Sequence, residues 1–310
     1  MYSRFTALEG YGEKELERLK DSRVAVVGVG ATGSAMAENL ARHGVELVLI
    51  DRDYLEEKDV YSSSLYTLEQ CRKALPKAEA AATILEEFTR VDSHVESLDS
   101  SNLGLVSSVD LVMDGTDNLE TRQLINDFSK RNGTPWIYTA AIAERAYSML
   151  FDDKCFNCLV EDQRKVATCE TEGVMREVAQ SAAAASSRKA VEYLAGKEPS
   201  ECLEQVSEGR CLDVESGSCK VCGGEEYPHL SGGSEVVHVC GEGKYQIKKE
   251  VEEEHIRHAE EAGEKIAGNK YLTRILYNGY EVTFFRSGRV IAEAENRDHA
   301  RAVVSELAGI

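Results

Sequence analysis

Near-continuous apolar runs alternating with amphipathic stretches organise the first half of the chain. Residues 13–22 place apolar side chains at helical spacing and lead into the apolar run Arg23–Val27, the pattern of a strand buried on both faces. The rhythm then repeats. Periodicity predicts a helix over 34–43, a strand over 45–50, a helix over 77–89, a weaker strand over 94–98, a strand over 109–113, a helix over 120–132 and a strand over 136–140. Such alternation is that of an α/β fold with a Rossmann-like, doubly wound sheet.

From about residue 146 the rhythm changes to a strand over 147–151, a polar stretch, and a long Ala/Ser-rich helix over 174–195. The small residues at 181–185 suit close approach to a neighbour, although helix propensity alone also accounts for alanine. Residues 225–243, rich in Gly, Glu and His, read as a connection. A charged helix is expected over 249–267, then strands over 271–277, 281–286 and 290–294, and a closing helix over 297–307. Asn278-Gly279 and Ser287-Gly288 separate the strands, pairs that tight antiparallel turns require. The expected organisation is a main domain over 1–224, a connection over 225–248, and a small C-terminal α+β module over 249–310.

Composition narrows the function. In 310 residues there is no uninterrupted apolar run near the ~18 residues of a membrane span, and the first residues lack the basic-then-apolar order of a secretory signal. A net charge of −19 opposes a nucleic-acid partner. Nine cysteines, an odd and modest number, suit reduced thiols or metal ligation in a cytoplasmic setting.

The candidate chemistry gathers at the carboxyl ends of the expected strands. In Val24-Ala-Val-Val-Gly28-Val-Gly30-Ala31-Thr-Gly33 the glycines lie between a strand and a helix, where a backbone turn can approach phosphate. Asp51 ends the next strand and could accept hydrogen bonds from ribose hydroxyls, or be a solvated strand end. Pro76 opens a helix and delivers Lys77, a cation suited to phosphate. Asp117 and Asn118 follow the strand over 109–113; Asp117 could hold Mg²⁺ or cap a helix, and Asn118 could fix a phosphate or the loop. Cys155-Phe-Asn-Cys158 and Cys219-Lys-Val-Cys222 supply four thiolates, the ligand set of a closed tetrahedral Zn²⁺ site, with a redox pair as the competing reading. Cys169 lies in a polar loop as a nucleophile or an inert thiol. Cys71, Cys202, Cys211 and Cys240 have no assignable partner.

Together these residues resemble the ubiquitin-activating-enzyme-like adenylyltransferases, of the small homodimeric ThiF, MoeB and HesA type that activates ubiquitin-like sulfur carriers. The markers are Asp21-Ser-Arg-Val-Ala-Val-Val-Gly28-Val-Gly30, Ile50-Asp51-Arg-Asp53, Pro76-Lys77-Ala-Glu, Thr116-Asp117-Asn118, Thr168-Cys169-Glu-Thr-Glu-Gly173-Val and both cysteine knuckles. The resemblance implies attack of a carrier's C-terminal Gly-Gly carboxylate on the α-phosphate of ATP, releasing pyrophosphate. It implies Gly28, Gly30, Ala31, Gly33, Asp53 and Asn118 around the nucleotide, Asp51 on ribose, Lys77 on phosphate, Asp117 on magnesium, and Arg4 reaching across a dimer. Cys169 matches a loop cysteine that bonds to the activated carrier in some relatives. A separate sulfurtransferase would then supply sulfur.

Two departures stand out. Ala31 replaces a glycine, which is tolerable where only the backbone N–H is used. Where relatives carry an Asn-Leu-x-Arg-Gln run, this chain has Asp59-Val-Tyr61-Ser62-Ser63, so a phosphate-binding arginine falls on Ser62. Arg52, Arg72 or Lys73 is the expected replacement. The alternatives are a catalytically weakened nucleotide-binding scaffold of the same fold, and an NAD-dependent oxidoreductase that leaves Lys77, Asp117 and the four cysteines without a role.

Overall fold

The computed structural model describes residues 2–161, 173–215, 217, 219–224, 226–231, 236–238, 243–248, 251–286 and 288–309. Two compact units result. The first comprises Met1–Asp53, Glu57–Thr67 and Lys77–Gly232; the second comprises Tyr54–Glu56, Leu68–Pro76 and Gly233–Ile310.

The first unit is built on β1 Arg23–Val27, β2 Glu46–Ile50, β3 Val91–His94, β4 Leu111–Asp114, β5 Trp136–Ile142, β6 Arg145–Phe151, β7 Leu203–Gln205 and β8 Arg210–Leu212. They lie in the order β3-β2-β1-β4-β5-β6-β7-β8, with β1 to β5 parallel and β6 to β8 antiparallel. The order reverses between β1 and β4, so the carboxyl ends of these two strands open the crevice where ligands of doubly wound sheets bind. Pairing of Leu47 with Val91 fixes β3 three residues earlier than its hydrophobic pattern predicts. It is an edge strand of mostly half-buried residues, and its period is correspondingly weak.

Packing explains the small residues of the helix Arg176–Leu194. Ala182, Ala183 and Ser186 are fully buried, and Ser186 Oγ joins Thr139 of β5 and Ser148 of β6, each at 2.8 Å. The same helix lies along Ala31–Ala41, where Asn39 donates to Ser187 Oγ at 3.2 Å. Bulkier side chains would hold these backbones apart. Aromatic packing fills the other core, with Trp136 stacked on Phe151 at 4.8 Å and Phe156 edge-on at 5.4 Å. Cys202 and Cys211 form a disulfide bracketing the β7–β8 hairpin, a pairing that spacing alone does not reveal. Among the described residues no helix is long and apolar enough to cross a membrane.

The second unit is a six-stranded antiparallel sheet of β9 Val236–His238, β10 Lys244–Lys248, β11 Glu264–Gly268, β12 Leu272–Tyr277, β13 Tyr280–Phe285 and β14 Arg289–Glu293, in the order β11-β12-β13-β14-β10-β9. The expected meander is β12 to β14, and Asn278 (φ 50°) with Gly279 (φ 86°) forms the two-residue turn beside the Tyr277–Tyr280 pair. Helices Glu253–Ala262 and Arg297–Ala308 cover one face, over a core that includes Ile275, Phe284 and Val290. The charged helix ends well before residue 267. A Cβ at Gly263 would sit 2.4 Å from Ile275 Cγ2, so close packing there turns the chain into β11.

Segments from the first quarter of the chain belong to this unit. Tyr54 donates to Glu281 at 2.8 Å, Arg274 lies 4.5 Å over the Tyr54 ring, and Lys244 pairs with Glu56 at 3.3 Å. Asn269 donates to the carbonyls of Lys73 and Ala74 at 2.9 and 2.8 Å. Burial raises the Tyr54 phenol above its usual range, and it stays a hydrogen-bond donor.

Candidate functional site

Three glycines set the backbone of the site. Gly28 has φ 81°, and an added Cβ would lie 2.8 Å from the Gly115 carbonyl oxygen. A Cβ on Gly33 would lie 1.8 Å from the Gly28 oxygen, and one on Gly115 only 2.4 Å from that same oxygen. The glycine turn and the loop after β4 are therefore pressed together. Gly30 differs, since nothing lies within 4 Å of a Cβ there, and it immediately precedes the helix Ala31–Ala41. The open N-terminus of an eleven-residue helix can receive an anion on backbone N–H groups, and Ala31 is compatible with that. Gly33→Ala is expected to cost at least about 2 kcal/mol of stability and Gly30→Ala less than about 0.5 kcal/mol. Equal costs in chemical denaturation would show that the crowding at Gly33 is not what fixes the turn.

Asp51 ties β2 to this turn. Its carboxylate accepts from Val29 N at 2.6 Å and from Asp53 N at 2.7 Å. Burial, reinforced by Asp53, raises its pKa against the opposing pull of Lys77 and the two backbone donors. Lys77 begins the helix Lys77–Leu85, with its N–H on the Asp53 carbonyl at 2.8 Å. The Lys77 ammonium is largely buried, 3.2 Å from Asp59 and 3.9 Å from Asp53. Burial works to lower its pKa, but Asp53, Asp51 and Asp59 outweigh that and raise it, so the side chain is a fixed cation. Tyr66 hydroxyl donates to Val29 O at 2.5 Å and lies 3.4 Å from Lys77 O, linking the glycine turn to the lysine helix. Ser63 Oγ meets Ser34 Oγ at 2.8 Å. Tyr66 is marked by no sequence motif considered above, and Asp59 only as the first residue of the altered run, with no sign there of its pairing with Lys77.

Across the crevice, buried Asp114 accepts from Thr116 N and Oγ1 at 2.9 and 2.6 Å and from Arg122 Nε at 2.8 Å. Arg122 also donates to the carbonyls of Thr116 and Thr139. This knot holds the Gly115–Asp117 loop. Asn118, not Asp117, caps the helix Leu119–Asn132, accepting from Thr121 N at 2.7 Å. Asp117 is left exposed in the loop after β4.

Arg52 follows Asp51, its guanidinium 3.5 Å from Ser97 Oγ and 3.6 Å from Asp53. Ser62 hydrogen-bonds locally, donating to the Asp59 carbonyl. Arg72 and Lys73 fold with the second unit, where Lys73 pairs with Glu69 at 2.7 Å. Arg4 is exposed on the short helix Ser3–Thr6, apart from the hydrogen-bond network of the turn. Cys169 lies outside the described residues.

The four knuckle cysteines converge as one cluster, their sulfurs all within 4.8 Å of one another. Cys155–Cys219, Cys158–Cys222 and Cys219–Cys222 separations are 3.6, 3.4 and 3.4 Å, close to the ~3.8 Å edge of a tetrahedron with Zn–S bonds of about 2.3 Å. Asn126 Nδ2 and Gly217 N approach Cys155 and Cys222 sulfurs at 3.6 and 3.2 Å, the N–H donors that steady thiolate ligands. Burial raises the Cys155 and Cys219 thiols; at Cys222 it is outweighed by hydrogen bonds from Cys219 and Cys158, which bring that thiol down to about 7. The donor set fits a tetrahedral metal ion.

A model of the ThiF family matches residues 2–220. The Bacillus subtilis (strain 168) sulfur carrier protein ThiS adenylyltransferase is 30% identical over 327 aligned residues, 97% of this chain and 96% of that one. The Escherichia coli (strain K12) molybdopterin-synthase adenylyltransferase is 30% identical over 208 residues, 63% of this chain and 82% of that one. Among solved structures, E. coli MccB with ATP shares the fold at a TM-score of 0.58 and 20% identity, over 68% of this chain and 69% of that one.

Proposed function

The chain belongs to the ThiF family and is an adenylyltransferase, and from that premise we propose that it uses ATP to adenylylate the C-terminal glycine of a small ubiquitin-like sulfur carrier. The observation that carries this reading is the open helix N-terminus at Gly30, flanked by Asp51 and by the fixed cation Lys77. A dinucleotide oxidoreductase has no use for that buried ammonium or for the exposed Asp117.

In the proposed reaction a carboxylate oxygen of the carrier's terminal glycine bonds to the α-phosphorus, and the bond from that phosphorus to the β-bridging oxygen breaks. Pyrophosphate leaves with the electron pair. The chain's contribution is positioning and charge neutralisation: Asp51 receives the ribose, the backbone around Gly30 and Ala31 receives phosphate, and Lys77 offsets the developing negative charge. Asp117 would hold Mg²⁺, which would supply positive charge against the phosphates. Arg52 stands in for the arginine missing at Ser62, and Arg4 completes the site from the second subunit of a homodimer. The four cysteines would hold structural Zn²⁺. The thiolate of Cys169 takes the acyl group as a thioester with loss of AMP, ahead of sulfur delivery by a separate protein in the cytoplasm.

Incorporation of labelled pyrophosphate into ATP, dependent on a Gly-Gly-ending carrier, is the expected result. Arg52→Ala should lower that exchange about tenfold or more; an unchanged rate would remove Arg52 from the phosphate site. Asp59 and Ser62 together make the pocket two charges more negative than the resembling pattern, which favours the second reading, a nucleotide-binding scaffold. ATP binding without any exchange would establish that reading instead.

A further inference from the structure

Asp59 is more than a gap-filler in an altered run. It is buried at 8% exposure, on the helix Glu57–Ser62, and its carboxylate is the nearest anion to the Lys77 ammonium, at 3.2 Å against 3.9 Å for Asp53. Its helix is anchored beside the glycine turn, because Ser63 Oγ bonds Ser34 Oγ and Leu65 N donates to Ser63 Oγ at 3.1 Å. Neither partner of the pair can swing away into solvent without disturbing that packing, since only 13% of the Lys77 side chain and 11% of the Asp59 side chain are exposed. A triphosphate approaching Lys77 therefore meets a cation already held by a carboxylate.

We infer that Asp59 is a positioning residue acting as an internal anion on Lys77, so that nucleotide binding exchanges a carboxylate for a phosphate at that ammonium. This rests on the reading of Lys77 as a phosphate ligand. The arrangement aims Lys77 into the crevice before substrate arrives and sets ATP affinity below what the same lysine would give without the competing charge. The competition belongs to the phosphates alone. A ligand lacking them, adenosine, leaves the pair intact.

Equilibrium titrations of the full-length protein with MgATP and with adenosine, without carrier, test this. Asp59→Asn keeps the shape and one acceptor and removes the charge; it should tighten MgATP binding about three- to tenfold, leave adenosine unchanged, and lower the melting temperature of the nucleotide-free protein. A purely structural role would move stability and affinity in the same direction. Asp59→Glu keeps the charge and should give no tightening, and it decides the matter if the asparagine variant does not fold: MgATP binding tighter than wild type in Asp59→Glu would overturn the inference. Unchanged or weaker MgATP binding in folded Asp59→Asn, with Lys77→Met still weakening ATP, would overturn it as well. If Lys77→Met leaves MgATP affinity intact, the underlying assignment of Lys77 fails instead.

Discussion

Exchange of Cys219 for serine is expected to abolish stable folding of the first unit. A structural tetrathiolate site contributes on the order of 10 kcal/mol, comparable with the ~5–15 kcal/mol that holds a whole domain together. The residues it joins explain why. Cys155 and Cys158 flank the start of the helix Phe156–Glu161, directly after β6, and Cys219 and Cys222 lie beyond β8. Asn126 of the helix Leu119–Asn132 meets both Cys155 Sγ and the Phe156 N–H, so losing the cluster also loosens the helix that Asn118 caps. Purified protein should contain about one zinc per chain, and a strong chelator should lower the melting temperature by tens of degrees. A metal-free chain that melts where the wild type does would remove the metal from the folding argument.

Lys77→Met is expected to reduce kcat/KM for ATP in pyrophosphate exchange by roughly 10²–10³-fold, the usual loss when one buried charge-stabilising donor leaves a phosphoryl-transfer site. The Lys77 ammonium pairs with Asp59 at 3.2 Å and with Asp53 at 3.9 Å. The substitution also has a signed effect on stability. The folded-state pKa of Asp51 is already raised, by burial first and by Asp53 second, and Lys77 pulls it down. Without Lys77 it rises further. A carboxyl group whose folded pKa exceeds its unfolded value stabilises the fold below the unfolded value of about 3.9, and that contribution is lost as pH rises through the folded value. The melting-temperature deficit of Lys77→Met should therefore widen as pH rises from acid toward neutral, and a deficit that narrows would contradict this account of Asp51.

The parallel sheet was legible because strands buried on both faces leave unbroken apolar runs, as at Val24–Val27 and Leu47–Ile50, and because the glycine turn must stand between strand and helix. The cysteine cluster was legible from spacing. What escaped depends on tertiary approach. Gly263 gives no local sign that Ile275 will pack against it and end a helix. Strand β10 carries Tyr245 and Ile247 toward the helices, but Gln246 between them is buried too, so the alternation that marks a half-exposed strand is hidden by a polar residue facing protein. Asp59, on a six-residue helix, and Tyr66, beyond it, have partners, Lys77 and Val29, that are known only once the turn is folded. The Cys202–Cys211 pair likewise needs the hairpin before it has a partner.

The chain order of the second unit bears on how the protein is made. Tyr54 emerges from the ribosome early, and its hydrogen-bond partner Glu281 follows 227 residues later. Glu56 waits in the same way for Lys244, and the carbonyls of Lys73 and Ala74 wait for Asn269. Contacts of such separation carry a large loop-closure entropy and form late. A nascent chain can thus fold Asp51, Asp59 and Lys77 together early, while Tyr54–Glu56 and Leu68–Pro76 wait for the sheet that follows residue 233. Residues synthesised 188 to 227 positions later complete segments that emerged long before them.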